Sequence, residues 1–197
     1  MTAAAIPTGP YAVMDGAPII GERGLLVSVG FRAADPRAGR TQGVIAHAQD
    51  AAGWWIGIGG DDRVVVGIGT RTGPVSLPVG APLAAEEEVR VHARIPGAPG
   101  RRLEICTIRT GREPEEAGVV IGSLLVPAPG NTLWGARSLR DRRLPEQGFI
   151  GEIGRVTMIA DADARPDDET AEGFLGRWDA WVRIDASRFA DEAPLRL

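Results

Sequence analysis

The stretch Glu88 to Ile95, Glu-Val-Arg-Val-His-Ala-Arg-Ile, alternates apolar and polar residues without a break. At two residues per repeat, Val89, Val91, Ala93 and Ile95 take one face of a strand and Arg90, His92 and Arg94 the other. A helix would scatter both sets around its surface. The same rhythm recurs at Gly24 to Arg32, where Leu25, Val27, Val29 and Phe31 share a face, and at Gly53 to Gly60. Gly53 to Gly60 and Arg63 to Ile68 flank Asp61-Asp62 and predict a hairpin. Arg102 to Arg109 follows the turn Pro96 to Gly100 and predicts the hairpin partner of Glu88 to Ile95. With 27 glycines and 15 prolines in 197 residues, the chain is suited to many short strands and tight turns, and a helical bundle would not tolerate that glycine load.

Between these strands the sequence predicts loops. Thr70 to Leu83 carries three prolines, which leaves room for at most an edge strand. Arg112 to Gly118 is an acidic loop, and Val119 to Val126 is the next expected strand. The first short strand is expected within Tyr11 to Met14. Beyond Pro166, the acidic run Asp167, Asp168 and Glu169 suits a helix N-terminus. Ala171, Phe174, Leu175, Trp178, Trp181 and Val182 then recur at helical spacing and predict a short C-terminal helix docked on the sandwich edge. The expected organisation is an arm over residues 1–10, a sandwich over 11–160, and a helix with tail over 161–197.

Asn131 to Ile159 has a strand, a charged loop and a second strand. Arg137 to Gln147 holds Arg137, Arg140, Asp141, Arg142, Arg143 and Glu146, so it is expected to be solvated. Phe149, Gly151 and Ile153 point one way, whereas after Gly154 the apolar set shifts to Val156 and Met158, the parity slip of a β-bulge. The run Leu133, Gly135, Phe149, Gly151, Ile153, Val156, Met158 and Ile159 resembles the closing signature of concanavalin A-like or laminin-G-like jelly-roll domains. Ala160 to Trp178 is similar to the tail such domains carry in phage and prophage structural proteins. The resemblance implies an all-β, antiparallel two-sheet β-sandwich. It also implies a setting on a phage-like particle among other structural proteins, as a homo-oligomer.

Charge and motifs narrow the chemistry. A net charge of −4 argues against a broad nucleic-acid-binding face. No apolar run approaches the roughly 20 residues a membrane helix needs. The N-terminus lacks the basic and apolar regions of a secretory signal. The expectation is synthesis in the cytoplasm and an extracellular position reached through release of a virion-like particle. Cys106 is the lone cysteine and excludes a cysteine-based zinc site. No Gly-x-Ser-x-Gly occurs. The Glu-x-Asp-x-x-Glu run of jelly-roll glucanases, which places a carboxylate pair for glycoside hydrolysis, is missing too. No catalytic residue is assigned and the chain is read as a non-enzyme.

Sugar binding is the chemistry the residues suit best. Aromatic faces stack on pyranose rings, while Asp, Asn and Arg fix hydroxyls or acidic groups. Trp54 and Trp55 are neighbours on a strand, so one enters the core and the other lies on the outer face or under a loop. The expected ligand-binding set is Trp55, Asp61, Asp62, Trp134, Arg137, Arg140 and Asp141. Each tryptophan is also explained by packing under the long loops, and Asp61-Asp62 by turn chemistry. Arg90, His92 and Arg94 would complement an acidic polysaccharide, or stand as a solvated stripe. No cofactor is required. Calcium, which concanavalin-like domains often hold, would fall to Asp61, Asp62 and Asn131. The expected function is a non-enzymatic, adhesin-like module for cell-surface polysaccharide. The alternatives are a structural decoration or cement protein of a particle, and a polysaccharide-degrading enzyme.

Overall fold

Leu25, Val27, Val29 and Phe31 are fully buried, as are Val89, Val91, Ala93 and Ile95. These two alternating faces therefore form one floor of the core. The computed structural model describes residues 6–16, 20–49, 52–140, 144–188 and 192–197, with backbone alone at 139, 140 and 144–146. In chain order the first strands are β1 (Thr8–Gly9), β2 (Ala12–Met14), β3 (Leu25–Ala33), β4 (Gln42–Gln49), β5 (Ala52–Ile58) and β6 (Val64–Thr70). Then come β7 (Gly73–Val79), β8 (Glu88–Ile95), β9 (Arg102–Arg109), β10 (Glu115–Val120), β11 (Thr132–Trp134) and β12 (Ser138–Arg140). The last are β13 (Leu144–Glu146), β14 (Ile150–Ile159), β15 (Phe174–Trp178), β16 (Val182–Asp185) and β17 (Leu195–Arg196).

Two sheets form the sandwich. Sheet A runs β1-β16-β14-β3-β8-β9-β10, with β15 also paired to β14; sheet B runs β17-β2-β11-β4-β5-β6-β7. All pairings are antiparallel except β1 with β16 and β17 with β2. One core cluster joins the inner faces, with Phe31, Val91 and Ile153 from sheet A and Trp54, Val66 and Trp134 from sheet B. Phe31 meets Phe149 edge to face at 5.9 Å, a favoured aromatic geometry. The register slips between Gly154 and Thr157, as the parity shift in the sequence implies.

Three local expectations are corrected. No helix begins at Asp167: Phe174–Trp178 and Val182–Asp185 form β15 and β16, and the region's helical content is a 3-10 turn, Ala186–Arg188. Gly173, at φ +92°, breaks the helical run, and the edge of β14 offers hydrogen bonds along its whole length. Residues 115–118, expected in a loop, begin β10 on the edge of β9, while 121–131 is mostly irregular. The charged loop contains the small hairpin β12-β13. By contrast, β7 is an edge strand despite its prolines. Pro74 and Pro78 sit on its exposed face, where an edge position tolerates the missing donors.

Candidate ligand-binding groove on the outer face of sheet A

The pairing register aligns a polar row across six strands. Arg177 lies opposite Thr157, Thr157 opposite Ser28, and Ser28 opposite His92. His92 is opposite Cys106, and Cys106 opposite Glu116. Directly opposed residues share a face. This is the face away from the core, yet Ser28 and Thr157 are each only 4% exposed. The covering comes from the segment after β14. Arg94 donates to the carbonyls of Ala162 and, at 3.1 Å, Ala164. Arg23 holds Asp161 at 3.5 Å and Glu172 at 3.1 Å. Pinned this way, the strap leaves a groove of about 480 Å³ lined by Ser28, Arg90, His92, Arg155, Thr157, Pro166, Asp167, Arg177 and Asp179.

Charge in the groove is mixed. Arg177 is paired with Glu169 and donates to Thr157 Oγ1 at 3.4 Å; Arg155 reaches Glu88 at 3.6 Å. Arg90 makes no hydrogen bond or ion pair among the described residues. Burial, reinforced by Arg90 and Arg94 and opposed by Asp167, pushes the His92 imidazole down to about 4. It is therefore neutral at pH 7. Glu88 is held below the usual carboxylate range by its 2.5 Å hydrogen bond from Arg32.

Trp181 is beside the groove, reached through Arg155, which lines it. Its half-buried indole lies over Gly154 and reaches Gly30, which are cross-strand partners. A Cβ on Gly154 would sit 2.7 Å from the ring. The guanidinium carbons of Arg32 and Arg155 stand 5.0 and 5.9 Å from the ring centroid, at cation–π range.

The expected set is not gathered in one place. Trp55 is on the outer face of sheet B, packed with Ala46 and Val65, and Arg137 covers its ring at 4.7 Å. These two do meet, but Trp55 is only 7% exposed. Trp134 is corrected from a ligand-facing to a core position: it is 1% exposed and packs edge to face on Trp178 at 6.4 Å. Asp61 and Asp62 form the β5–β6 turn, where Asp61 binds Arg63 at 2.7 Å. Asn131 is at the opposite end of sheet B and binds Asp15 at 3.2 Å. The length of β5, roughly 20 Å, separates that residue from the turn, so these three do not form one calcium site. No metal-holding cluster of three His, Cys, Asp or Glu occurs among the described residues. Asp141 and the side chain of Arg140 lie outside the described residues.

Alternation alone marks Arg90 and His92 as outward-facing. Ser28, Arg155, Thr157, Arg177 and Trp181 were missed, because their meeting depends on pairing register. The available signal was the glycines Gly30 and Gly154, which clear a flat bed for a ring.

No protein-family model matches the sequence, and no curated protein does. Among solved structures, the chain is similar to the native heptameric SAP-like pentraxin from Limulus polyphemus. The TM-score is 0.55 at 13% identity, covering 91% of this chain and 90% of that one. It is also similar to the LG1-3 region of the laminin alpha2 chain, with TM-score 0.55 at 13% identity over 89% of this chain and 34% of that one. The fold is concanavalin A-like. On this concanavalin A-like sandwich the groove is built from strand positions of one sheet face, walled by the strap, so its floor is rigid.

Proposed function

We propose that the protein is a non-enzymatic module that binds cell-surface polysaccharide through the groove on sheet A. Laminin-G-like and pentraxin-like folds are often carbohydrate- or ligand-binding modules. The observation that carries the proposal is the polar groove with Trp181 beside it. Hydroxyls of Ser28 and Thr157, carboxylates of Asp167 and Asp179 and the arginine forks supply hydrogen bonds suited to sugar hydroxyls. The indole supplies an apolar surface for a pyranose face. Arg90 makes no hydrogen bond or ion pair among the described residues, so a sugar carboxylate gains its charge-assisted pair without breaking one of those. The proposed setting is the surface of a phage-like particle, supported by the likeness of residues 160–178 to tails of particle-borne sandwiches. There, repetition would convert weak single-site affinity into avidity.

Calorimetric titration with alginate, a uronate polymer, and with neutral dextran tests this. Arg90→Ala is expected to weaken alginate binding about tenfold, and Trp181→Ala by a similar factor, with melting curves confirming the fold. Retention on cells should fall when their surface polysaccharide is stripped. Binding that is unchanged in both variants would remove the groove from the function.

A further inference from the structure

The connection between β10 and β11 closes one end of the sandwich. Gly53 N donates to Val126 O at 2.7 Å, and Val126 N to Gly69 O at 2.9 Å. Beneath this closure lies a cavity of about 300 Å³ with mostly apolar walls, including Ile20, Leu124, Leu125 and Pro127. His47 and Trp54 line it too. They are cross-strand partners on the inner face of sheet B, 5% and 0% exposed.

Both carry a buried polar atom without a partner among the described residues: His47 Nδ1 and Trp54 Nε1. His47 Nε2 lies 2.9 Å from the Ala128 carbonyl, which can only accept. In the neutral imidazole the ring hydrogen is therefore on Nε2, and Nδ1 presents a bare lone pair. Trp54 Nε1 presents a hydrogen. The β11–β4 register extends the same inward row to Thr132, whose buried Oγ1 is also unpartnered. Native interiors pair nearly all such atoms, so the two on the residues that line this cavity, His47 and Trp54, call for a polar occupant.

We propose that this cavity binds a small, mostly apolar molecule bearing a hydroxyl group. The hydroxyl donates to His47 Nδ1 and accepts from Trp54 Nε1, and the apolar body fills the space against Leu124 and Leu125. A ketone or carboxylate satisfies the indole but faces the histidine lone pair with another lone pair. A hydrocarbon satisfies neither. The site lies between the sheets and shares no residue with the groove, so it does not depend on the glycan proposal.

The probes are 4-ethylphenol and ethylbenzene, which differ by the hydroxyl. The readout is the indole N–H resonance of Trp54 in the full chain, assigned with Trp54→Phe. 4-Ethylphenol is expected to shift that resonance saturably and to bind about tenfold more tightly than ethylbenzene. His47→Leu should remove the preference. Ala128→Leu, which narrows the cavity but keeps both polar atoms, should abolish binding of both compounds while the protein remains folded. Absence of any shift at millimolar 4-ethylphenol would overturn the proposal and leave a bridging water as the occupant. Equal affinity for the two compounds, or binding undiminished in Ala128→Leu, would overturn it as well.

Discussion

His92 is held neutral by its surroundings: burial first, then Arg90 and Arg94 on its own strand, with Asp167 on the strap opposing them. Its imidazole titrates at about 4, below the ordinary value of 6.5. In the unfolded chain it takes up a proton as pH falls through 6.5, while in the folded chain it does not. The unfolded state thus binds more protons between those values, and stability falls as pH drops from 6.5 towards 4. Above 6.5 the effect vanishes. The expected loss is about 2–3 kcal/mol across the window. Urea melts of the wild type and His92→Gln at pH 7.0, 6.0 and 5.0 check it, since the variant should lose less stability over that range. Parallel curves would mean that His92 exchanges protons freely in the folded groove. The same neutrality matters for binding, because the groove presents arginine charge rather than histidine charge to a ligand at neutral pH.

The segment from Phe174 to Asp185 shows how a strand can carry a helix's signature. Phe174, Leu175, Trp178, Trp181 and Val182 fit a 3.6-residue period, but Val182 and Ile184 also fit a period of two and are buried as a strand pair. Short apolar runs do not separate the two periods. What decides is non-local: the free edge of β14 takes β16 along Ile150–Ile153 and β15 along Val156–Ile159. β8 was legible because it alternates over eight residues and buries one face, and β3 and β14 by their inward apolar sets, although β3 is buried on both faces and β14 shifts parity at its bulge. The groove was legible only as the outer stripe Arg90, His92 and Arg94, since no local pattern tells which strand will lie beside Ser28. Gly173→Ala separates the two secondary structures with opposite signs. In a helix interior it would stabilise by about 1 kcal/mol. At φ +92°, with Ala160 Cβ 3.3 Å from the added carbon, it should instead destabilise by about 1–2 kcal/mol. Chemical denaturation of the single variant reads the sign directly.

Both described chain ends seal the same side of the sandwich. β1 extends sheet A beyond β16, and β17 extends sheet B beyond β2. They meet where Leu195 lies over Gly9, close enough that a Cβ there would be 2.7 Å from its side chain. Leu195 N and Leu197 N donate to the carbonyls of Tyr11 and Val13 at 3.0 and 3.1 Å, and Arg196 reaches Asp15 at 3.1 Å. Removing residues 195–197 takes away two backbone hydrogen bonds and the leucine that spans the sheets. It also exposes the edge of β2, a template for another strand. The expected cost is about 2–4 kcal/mol, a fall in Tm of about 5–10 °C. Light scattering should show concentration-dependent association of the truncated chain. The groove uses β3, β8, β14 and β15, none of which pairs with β17, so alginate binding by the folded fraction should persist. Retained affinity with lowered stability would separate the sealing role of the termini from recognition on sheet A. Loss of both together would instead mean that the strap over the groove depends on closure at the far edge.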